Sequence, residues 1–177
     1  LENIRKICDE NDAMMIVVNN EILAFGMIEP PKNADIICGD ASSLGVPLSF
    51  GGPLLGYFTC KKEFMRQMPG RVCGVTKDED GKRAFVLTLS AREQHIRRDK
   101  ATSNICTNQG LPALRTTVFL ATVGPHGLRQ MATLSHQKAR YAAEVLTKIP
   151  GVQLKFSQPF FREFLLETSR PAAAVLS

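Results

Sequence analysis

Three short apolar segments constrain the fold of this chain more than any other feature. They cover residues 14–18, 34–38 and 54–60, and the first contains no polar residue at all. Continuous apolar runs of this length are typical of strands that are buried on both faces of a sheet, because the polar alternation is lost when neither face meets water. A helical pattern over residues 1–10 precedes the first run. The sequence therefore predicts an α/β domain with a mixed or parallel sheet.

Turn and breaker residues divide the rest of the chain. A polar turn over residues 78–82 predicts a hairpin, and Gly124-Pro125 interrupts a long helical pattern, because both residues disfavour a helix interior. We place a domain boundary at that interruption, with residues 1–125 in a large domain and residues 126–177 forming a linking helix and the start of a small α/β domain. The other predicted elements are a helix over 61–68, hairpin strands over 71–76 and 84–89, helices over 109–123 and 126–149, and strands over 152–156 and 163–167.

Length and composition limit the class of protein. The 177 residues suit one domain or one domain with part of another, and both ends look cut, so we expect a fragment of a longer protein. No segment approaches 18 consecutive apolar residues, and the chain begins directly in a charged helical pattern, so we expect neither a membrane span nor a signal peptide.

The cysteines and histidines do not predict a metal site. The five cysteines have no Cys-x-x-Cys spacing and are odd in number, which indicates reduced thiols. The three histidines form no helical i, i+4 pair. We expect two of them, His126 and His136, on helix surfaces.

A cationic segment over residues 92–107 carries the strongest chemical signal. Hydroxyl and amide side chains follow its cations at the start of a predicted helix, and such a helix start binds phosphate or carboxylate well. A solvated charged loop is the alternative interpretation. Nucleic-acid binding is a third interpretation, and the absence of aromatic residues for base stacking in the segment argues against it. The cationic side chains are Arg92, Arg97, Arg98 and Lys100, with His95 among them.

Three long segments give the chain a family resemblance. They read SLGVPLSFGGPLLGYF, MPGRVCGVTKDEDGKRAFVLTL and REQHIRRDKATSNICTNQ, and begin at residues 43, 68 and 92. With them the chain closely resembles the P-proteins of the glycine cleavage system, the pyridoxal-phosphate-dependent glycine decarboxylases, over residues 1–167. It is most similar to the N-terminal half of such a protein or to a separate α chain (subunit 1). The resemblance implies a fold-type-I PLP-dependent, aminotransferase-like transferase fold, here the C-terminal part of the large domain plus the start of the small domain.

The resemblance also indicates that the catalytic lysine is missing. Catalytic chains of this fold carry, after the equivalent of strand 34–38, a lysine that forms a Schiff base with PLP. Ala41, Ser42 and Ser43 stand in its place, and the sequence has no lysine between Lys32 and Lys61. A serine hydroxyl cannot form an imine, so the resemblance implies that this chain holds no PLP covalently.

A second departure concerns the aspartate that pairs with the pyridine nitrogen in catalytic chains. The corresponding strand ends here in Asn19 and Asn20, whose amides carry no charge. Glu21 follows them and could take that place if the register is shifted. Both departures imply a non-catalytic partner chain.

The resemblance further implies what such a partner contributes. Fold-type-I active sites lie at subunit interfaces, so Thr102 and Ser103 are expected to reach the PLP phosphate on the partner chain. The cationic side chains of residues 92–100 would shape the interface and an entry path for the acidic, lipoyl-carrying H-protein. The implied partners are a catalytic β chain (subunit 2) or the C-terminal half of a fused protein, H-protein and glycine. A purely structural partner that donates no atom to the active site is the alternative.

The implied activity belongs to the assembled enzyme. It is glycine dehydrogenase (aminomethyl-transferring), an oxidoreductase that acts on a CH–NH₂ group with a disulfide acceptor, and we expect the chain alone to be inactive. The resemblance implies a cytoplasmic location in a bacterium or the mitochondrial matrix in a eukaryote. The sequence leaves open whether the chain comes from a split or a fused enzyme.

Overall fold

The computed structural model describes residues 1–101 and 109–175. A helix, α1 (Glu2–Glu10), leads into a three-stranded sheet of β1 (Ile16–Asn19), β2 (Ile36–Asp40) and β3 (Gly56–Cys60). Strands β1 and β2 are parallel, and β2 and β3 are antiparallel. The sheet is therefore mixed, and the three strands predicted from the apolar runs are confirmed with starts shifted by two residues.

One expectation for β1 is wrong. Ile16 and Val18 are 55% and 66% exposed, whereas Val17 between them is half-buried. The strand lies at the edge of the described sheet and pairs with β2 alone. Within the described residues, the face carrying Ile16 and Val18 is not covered, so the wholly apolar run does not correspond to burial on both faces.

A long helix packs against the 3₁₀ helix Ile22–Gly26 and the loop after β2. Helix α3 (Gly110–Leu146) contains one residue with non-helical dihedral angles, Gly124, at φ 60° and ψ −177°. The predicted interruption at Gly124-Pro125 is thus confirmed as a kink, although the division into two domains there stays a prediction. Beyond the kink, Ala132 is completely buried against the 3₁₀ helix Ile22–Gly26. A side chain at Gly26 would come within 2.9 Å of Ala132 Cβ, so the close packing needs glycine.

The loop after β2 forms part of the hydrophobic core. Ala41, Val46 and Leu55 make a buried cluster, with Ile22 and Tyr57 packed against it. The loop is further held by α3, from which the Thr116 hydroxyl donates a buried hydrogen bond of 2.9 Å to the Leu44 carbonyl oxygen. The region in which sequence comparison places a missing lysine is therefore tightly packed protein.

The remaining elements are smaller. The predicted hairpin is confirmed, with β4 (Val72–Lys77) antiparallel to β5 (Arg83–Thr88). Asp78 Oδ1 fixes its turn by accepting from the backbone N–H groups of Asp80 at 3.0 Å and Lys82 at 2.8 Å. The helix predicted over 61–68 is only a 3₁₀ turn, Lys62–Phe64. The other elements are α2 (Gln94–Arg97), the antiparallel pair β6 (Val152–Leu154) and β7 (Leu166–Thr168), and α4 (Ala172–Val175). Among the described helices, none combines the length and apolarity that a membrane span requires.

Candidate functional site

Ala41, Ser42 and Ser43 lie directly after the carboxyl end of β2, where ligands of open α/β sheets commonly bind. Ala41 is buried in the core. The Ser42 hydroxyl donates to Asp40 Oδ2 at 3.0 Å and accepts from the Leu55 N–H at 3.2 Å. Both polar functions of Ser42 are thus used to shape the loop.

Ser43 belongs to a second set of contacts, the Glu21 cluster, formed by Glu21, Ser43 and Arg162. Glu21 follows the carboxyl end of β1, and its Oε1 accepts from the Leu23 N–H at 2.9 Å. The Ser43 hydroxyl donates to Glu21 Oε2 at 3.1 Å. Arg162 Nη2 forms an ion pair with the same Oε2 and lies 3.3 Å from Ser43 Oγ. All three side chains therefore meet at one carboxylate oxygen.

Arg162 reaches this cluster from the connection between β6 and β7. The preceding residue, Phe161, places its carbonyl oxygen 2.8 Å from His136 Nδ1, and the two rings stack with centroids 6.4 Å apart. His136 is accordingly half-buried. The expectation that it is merely a helix-surface residue is wrong, because its ring anchors this connection to α3.

The residues at this site do not fit a PLP held as in catalytic chains. The loop offers no amine, the Asp40 carboxylate accepts from Ser42, and the Glu21 carboxylate is already paired with Arg162. Asn19 exchanges hydrogen bonds with the Glu21 backbone, at 3.1 Å and 3.3 Å, so its amide is also engaged. Gly39 lies so close to β1 that an added Cβ would come within 1.7 Å of the Asn19 carbonyl oxygen. Packing and pairing within the chain take up the groups that a cofactor would need.

A different charged cluster occupies the opposite end of the same strands. The Asp35 cluster consists of Arg5, Asp35 and Lys61, with Asp35 just before β2 and only 6% of its side chain exposed. Asp35 Oδ1 pairs with Lys61 Nζ at 2.5 Å, and Oδ2 pairs with Arg5 Nη1 at 2.6 Å and accepts from the Met15 N–H at 2.7 Å.

The surroundings of Asp35 fix its charge. The hydrogen bond from Lys61, followed by those from the Met15 N–H and Arg5, holds the pKa of the Asp35 carboxyl well below its usual range. A carboxylate that stays ionised and has both oxygens occupied is suited to holding structure and not to proton transfer. Sequence reasoning missed this cluster, although a lone aspartate at the start of an apolar strand was a usable signal.

The cationic segment does not form one continuous surface. Arg92 points inward, its side chain 12% exposed, and its guanidinium donates to backbone carbonyl oxygens of the loop after β3. Those acceptors are Met65 at 3.4 Å, Arg66 at 3.1 Å, Gly70 at 2.7 Å, and Met68. The exposed members are His95, Arg97, Arg98 and Lys100.

The anion-binding role predicted for this segment stays a prediction. Arg97 Nε donates to the Ala91 carbonyl oxygen at 3.1 Å, a contact within the segment itself. Thr102 and Ser103, which were expected to reach a partner's phosphate, lie outside the described residues. Arg162 is the site residue that could not be found from the sequence, because it stands alone in an aromatic stretch far from the loop it contacts.

Comparisons with known proteins identify the family of the chain. The family model of the glycine cleavage system P-protein matches residues 1–177. The chain is 50% identical, over 95% of its length, to a probable glycine dehydrogenase (decarboxylating) subunit 1 of Desulforamulus reducens, and 48% identical, over 100% of its length, to one of Chloroherpeton thalassium. It spans 39% and 40% of those two relatives.

A solved structure is similar in fold as well as sequence. It is a crystal structure of glycine decarboxylase (P-protein) of the glycine cleavage system in an inhibitor-bound form, with a TM-score of 0.88 and 44% identity. The similarity covers 95% of this chain and 39% of that one.

Proposed function

Because the chain belongs to the glycine cleavage system P-protein family, we propose that it is a non-catalytic part of glycine decarboxylase that supports the active site of a catalytic chain. Its fold is that of the fold-type-I PLP-dependent enzymes. The observation that carries the proposal is the loop Ala41, Ser42 and Ser43, which has no lysine and whose side chains are packed or hydrogen-bonded within the chain.

In this proposal PLP acts in the assembled enzyme on the catalytic β chain (subunit 2), or on the C-terminal half of a fused protein. Bound there, PLP would supply the electron sink for glycine decarboxylation, and the aminomethyl group would pass to the lipoyl group of H-protein. The activity is that of glycine dehydrogenase (aminomethyl-transferring), an oxidoreductase with a disulfide acceptor. The relatives are named as subunit 1, which supports the need for a partner.

The exposed cations are the residues of this chain that we assign to the partner surface. His95, Arg97, Arg98 and Lys100 face solvent in the described structure, where they can attract an acidic protein and speed its association. Arg92 is the exception, because its guanidinium already donates to backbone carbonyls. The proposal keeps Thr102 and Ser103 as the groups directed to the partner's PLP phosphate. The assembly would work in the bacterial cytoplasm or the mitochondrial matrix.

The test is reconstitution. The purified chain, the catalytic chain and lipoyl H-protein are mixed with glycine and labelled bicarbonate, and exchange of the label into the glycine carboxyl group is measured. We expect background exchange with this chain alone and exchange when the catalytic chain is present. Exchange by this chain alone, or full exchange by the catalytic chain without it, would contradict the proposal.

Single variants locate the contribution. Arg98→Ala and Thr102→Ala are expected to weaken assembly or PLP retention about tenfold, as a lost charged hydrogen bond does. Lys77→Ala, an exposed cation at the end of β4, is the matched control and should behave as the parent chain. Size-exclusion chromatography and the PLP dissociation rate report the two effects.

A purely structural partner is the second candidate function. The inward Arg92 favours it, since one of the predicted interface cations instead secures the loop after β3. The two candidates differ at Thr102 and Ser103. Only an active-site contribution predicts faster PLP dissociation when either hydroxyl is removed while the complex still assembles.

A further inference from the structure

We propose that the Glu21 cluster is a latch that holds the β6–β7 connection against the carboxyl ends of β1 and β2 without any ligand. Glu21 and Ser43 stand on the sheet side, and Arg162 stands on the connection, 119 residues after Ser43. Neither the family membership nor the proposed function assigns a role to this contact. The inference goes beyond that function and would stand if the chain had another partner.

The carboxylate of Glu21 is oriented by hydrogen bonds that do not involve Arg162. Its Oε1 accepts from the Leu23 N–H at 2.9 Å, which caps the 3₁₀ helix Ile22–Gly26. Its Oε2 accepts from the Ser43 hydroxyl at 3.1 Å. With 14% of the Glu21 side chain exposed, the acceptor is oriented and partly desolvated. A charge held in this way attracts a cation more strongly than an exposed glutamate does.

The backbone that carries Arg162 is also held in place by hydrogen bonds on both sides. The connection that carries it continues the hairpin, where the Lys155 N–H donates to the Leu165 carbonyl oxygen at 2.9 Å. On its other side, His136 holds the Phe161 carbonyl oxygen at 2.8 Å. The connection is therefore fastened to α3 by His136 and to the sheet by Arg162. Opening it requires loss of the second contact while the first acts as the pivot.

The latch differs from ordinary surface ion pairs of the same chain. Lys155 and Glu167 pair at 2.9 Å across β6 and β7, but both side chains are about half exposed and both lie on one hairpin. Such a pair contributes little and joins nothing distant. The Glu21 cluster joins two parts of the chain far apart in sequence, and it lies beside the loop that lacks the lysine. The chain thus holds the β6–β7 connection against this loop with its own side chains.

Hydrogen exchange of the complete chain tests the latch. Exchange of the backbone amides of residues 152–168, which include the hydrogen-bonded Lys155 amide and the paired strands β6 and β7, is followed by mass spectrometry in the parent and in Glu21→Gln, which keeps an acceptor for the Leu23 N–H and removes the charge. We expect exchange in this segment to become about tenfold faster, with the β1–β2 amides unchanged. Lys155→Met removes the exposed hairpin pair and is the matched control, for which we expect no change.

Two further variants keep the outcome decisive. Arg162→Met leaves the Glu21 cap in place and carries the same expectation, so a poorly folded Glu21→Gln variant does not remove the test. The double variant should exchange no faster than either single variant, because both remove one shared contact. Unchanged exchange of residues 152–168 in a folded Arg162→Met variant, or an equal effect of Lys155→Met, would overturn the proposal.

Discussion

The Asp35 cluster and the Glu21 cluster lie at opposite ends of the same pair of strands, and they differ in what they join. Asp35 precedes β2 and binds Arg5 of α1 and Lys61 beyond β3, so it fastens neighbouring elements of one sheet. Glu21 follows β1 and binds Arg162, which belongs to a connection outside that sheet. The carboxylates are both largely buried, with 6% of the Asp35 side chain and 14% of the Glu21 side chain exposed, and each cluster has one cation that reaches solvent, Lys61 or Arg162. We therefore assign the Asp35 cluster a foundation role, meaning that it supports the sheet itself, whereas the Glu21 cluster is the latch, a contact that we propose can open.

The difference shows where this chain departs from a catalytic member of its family. The carboxyl ends of strands are the usual place for ligands in open α/β sheets, and this is the end at which the chain has serines and a protein ion pair. The other end keeps a charged cluster whose only evident consequence is structural. At one end the loop side chains are held by contacts within the chain, and at the other end Asp35 holds α1 and the residue after β3 to the sheet.

The largest effect is expected from a change at the pairing of β1 with β2, because both clusters lie at the ends of these two strands. Gly39→Ala would bring a Cβ within 1.7 Å of the Asn19 carbonyl oxygen, so β1 and β2 must separate. We expect a loss of about 3 kcal/mol or more in the free energy of unfolding, measured by urea denaturation. Gly56→Ala is the matched control, because its Cβ would lie at an ordinary 3.5 Å from the Gly39 carbonyl oxygen. Equal stability of the two variants would mean that the strand ends are not tightly packed.

Asp35→Asn is expected to have the next largest effect, because it removes the buried carboxylate that the largely buried Arg5 and the partly exposed Lys61 both contact. The whole chain should unfold at a lower temperature, in one transition that calorimetry can follow. Asp80→Asn, which removes the acidic partner of an exposed pair with Lys82, should leave the transition unchanged. A loss confined to α1, with the sheet intact, would contradict the foundation role.

The pH dependence follows from the lowered pKa of Asp35. Since the carboxyl binds protons more weakly in the folded chain than in the unfolded one, its contribution is complete above the ordinary value of 3.8 and is lost as pH falls below it. The difference in unfolding free energy between the parent and Asp35→Asn should therefore be constant at neutral pH and shrink in acid. A difference that grows below pH 3.8 would have the wrong sign.

The smallest effect on global stability is expected from Glu21→Gln. The latch closes a connection and does not support the sheet, so its loss should cost no more than about 1.4 kcal/mol in the free energy of unfolding, the equivalent of the tenfold faster exchange. Denaturant titration of the variant beside Asp35→Asn measures the contrast. If the two variants lose equal stability, the distinction between foundation and latch disappears.

Much of the fold was predictable because its signals are local. The apolar runs predicted the three strands, the turn at Asp78 predicted the hairpin, and Gly124 predicted the interruption of the long helix. The exposed face of β1 was not predictable in this way, since an apolar run does not tell which neighbour covers it. The ends of the strands differ from the predicted ones because an apolar run and the hydrogen-bond pairing of a strand need not begin or end at the same residue.

Of the candidate site, the sequence predicted only the absence of the lysine and not the contacts that are present. The missing lysine is visible in Ala41, Ser42 and Ser43 as soon as the family is recognised. Arg162 could not be foreseen, because its contact with Ser43 spans 119 residues and depends on the path of the chain around α3. Arg92 illustrates the converse, since a cation expected at an interface donates instead to the carbonyls of Arg66 and Gly70.

The central claim is that protein contacts have replaced the cofactor's covalent attachment in this chain, and reductive trapping tests it most directly. The chain is incubated with PLP, reduced with borohydride and mapped by peptide mass spectrometry, with the catalytic chain as positive control. The account predicts only weak, unsaturable modification spread over exposed lysines. Saturable modification of one residue at unit stoichiometry, above all Lys61 or Lys32 on either side of the lysine-free loop, would contradict it.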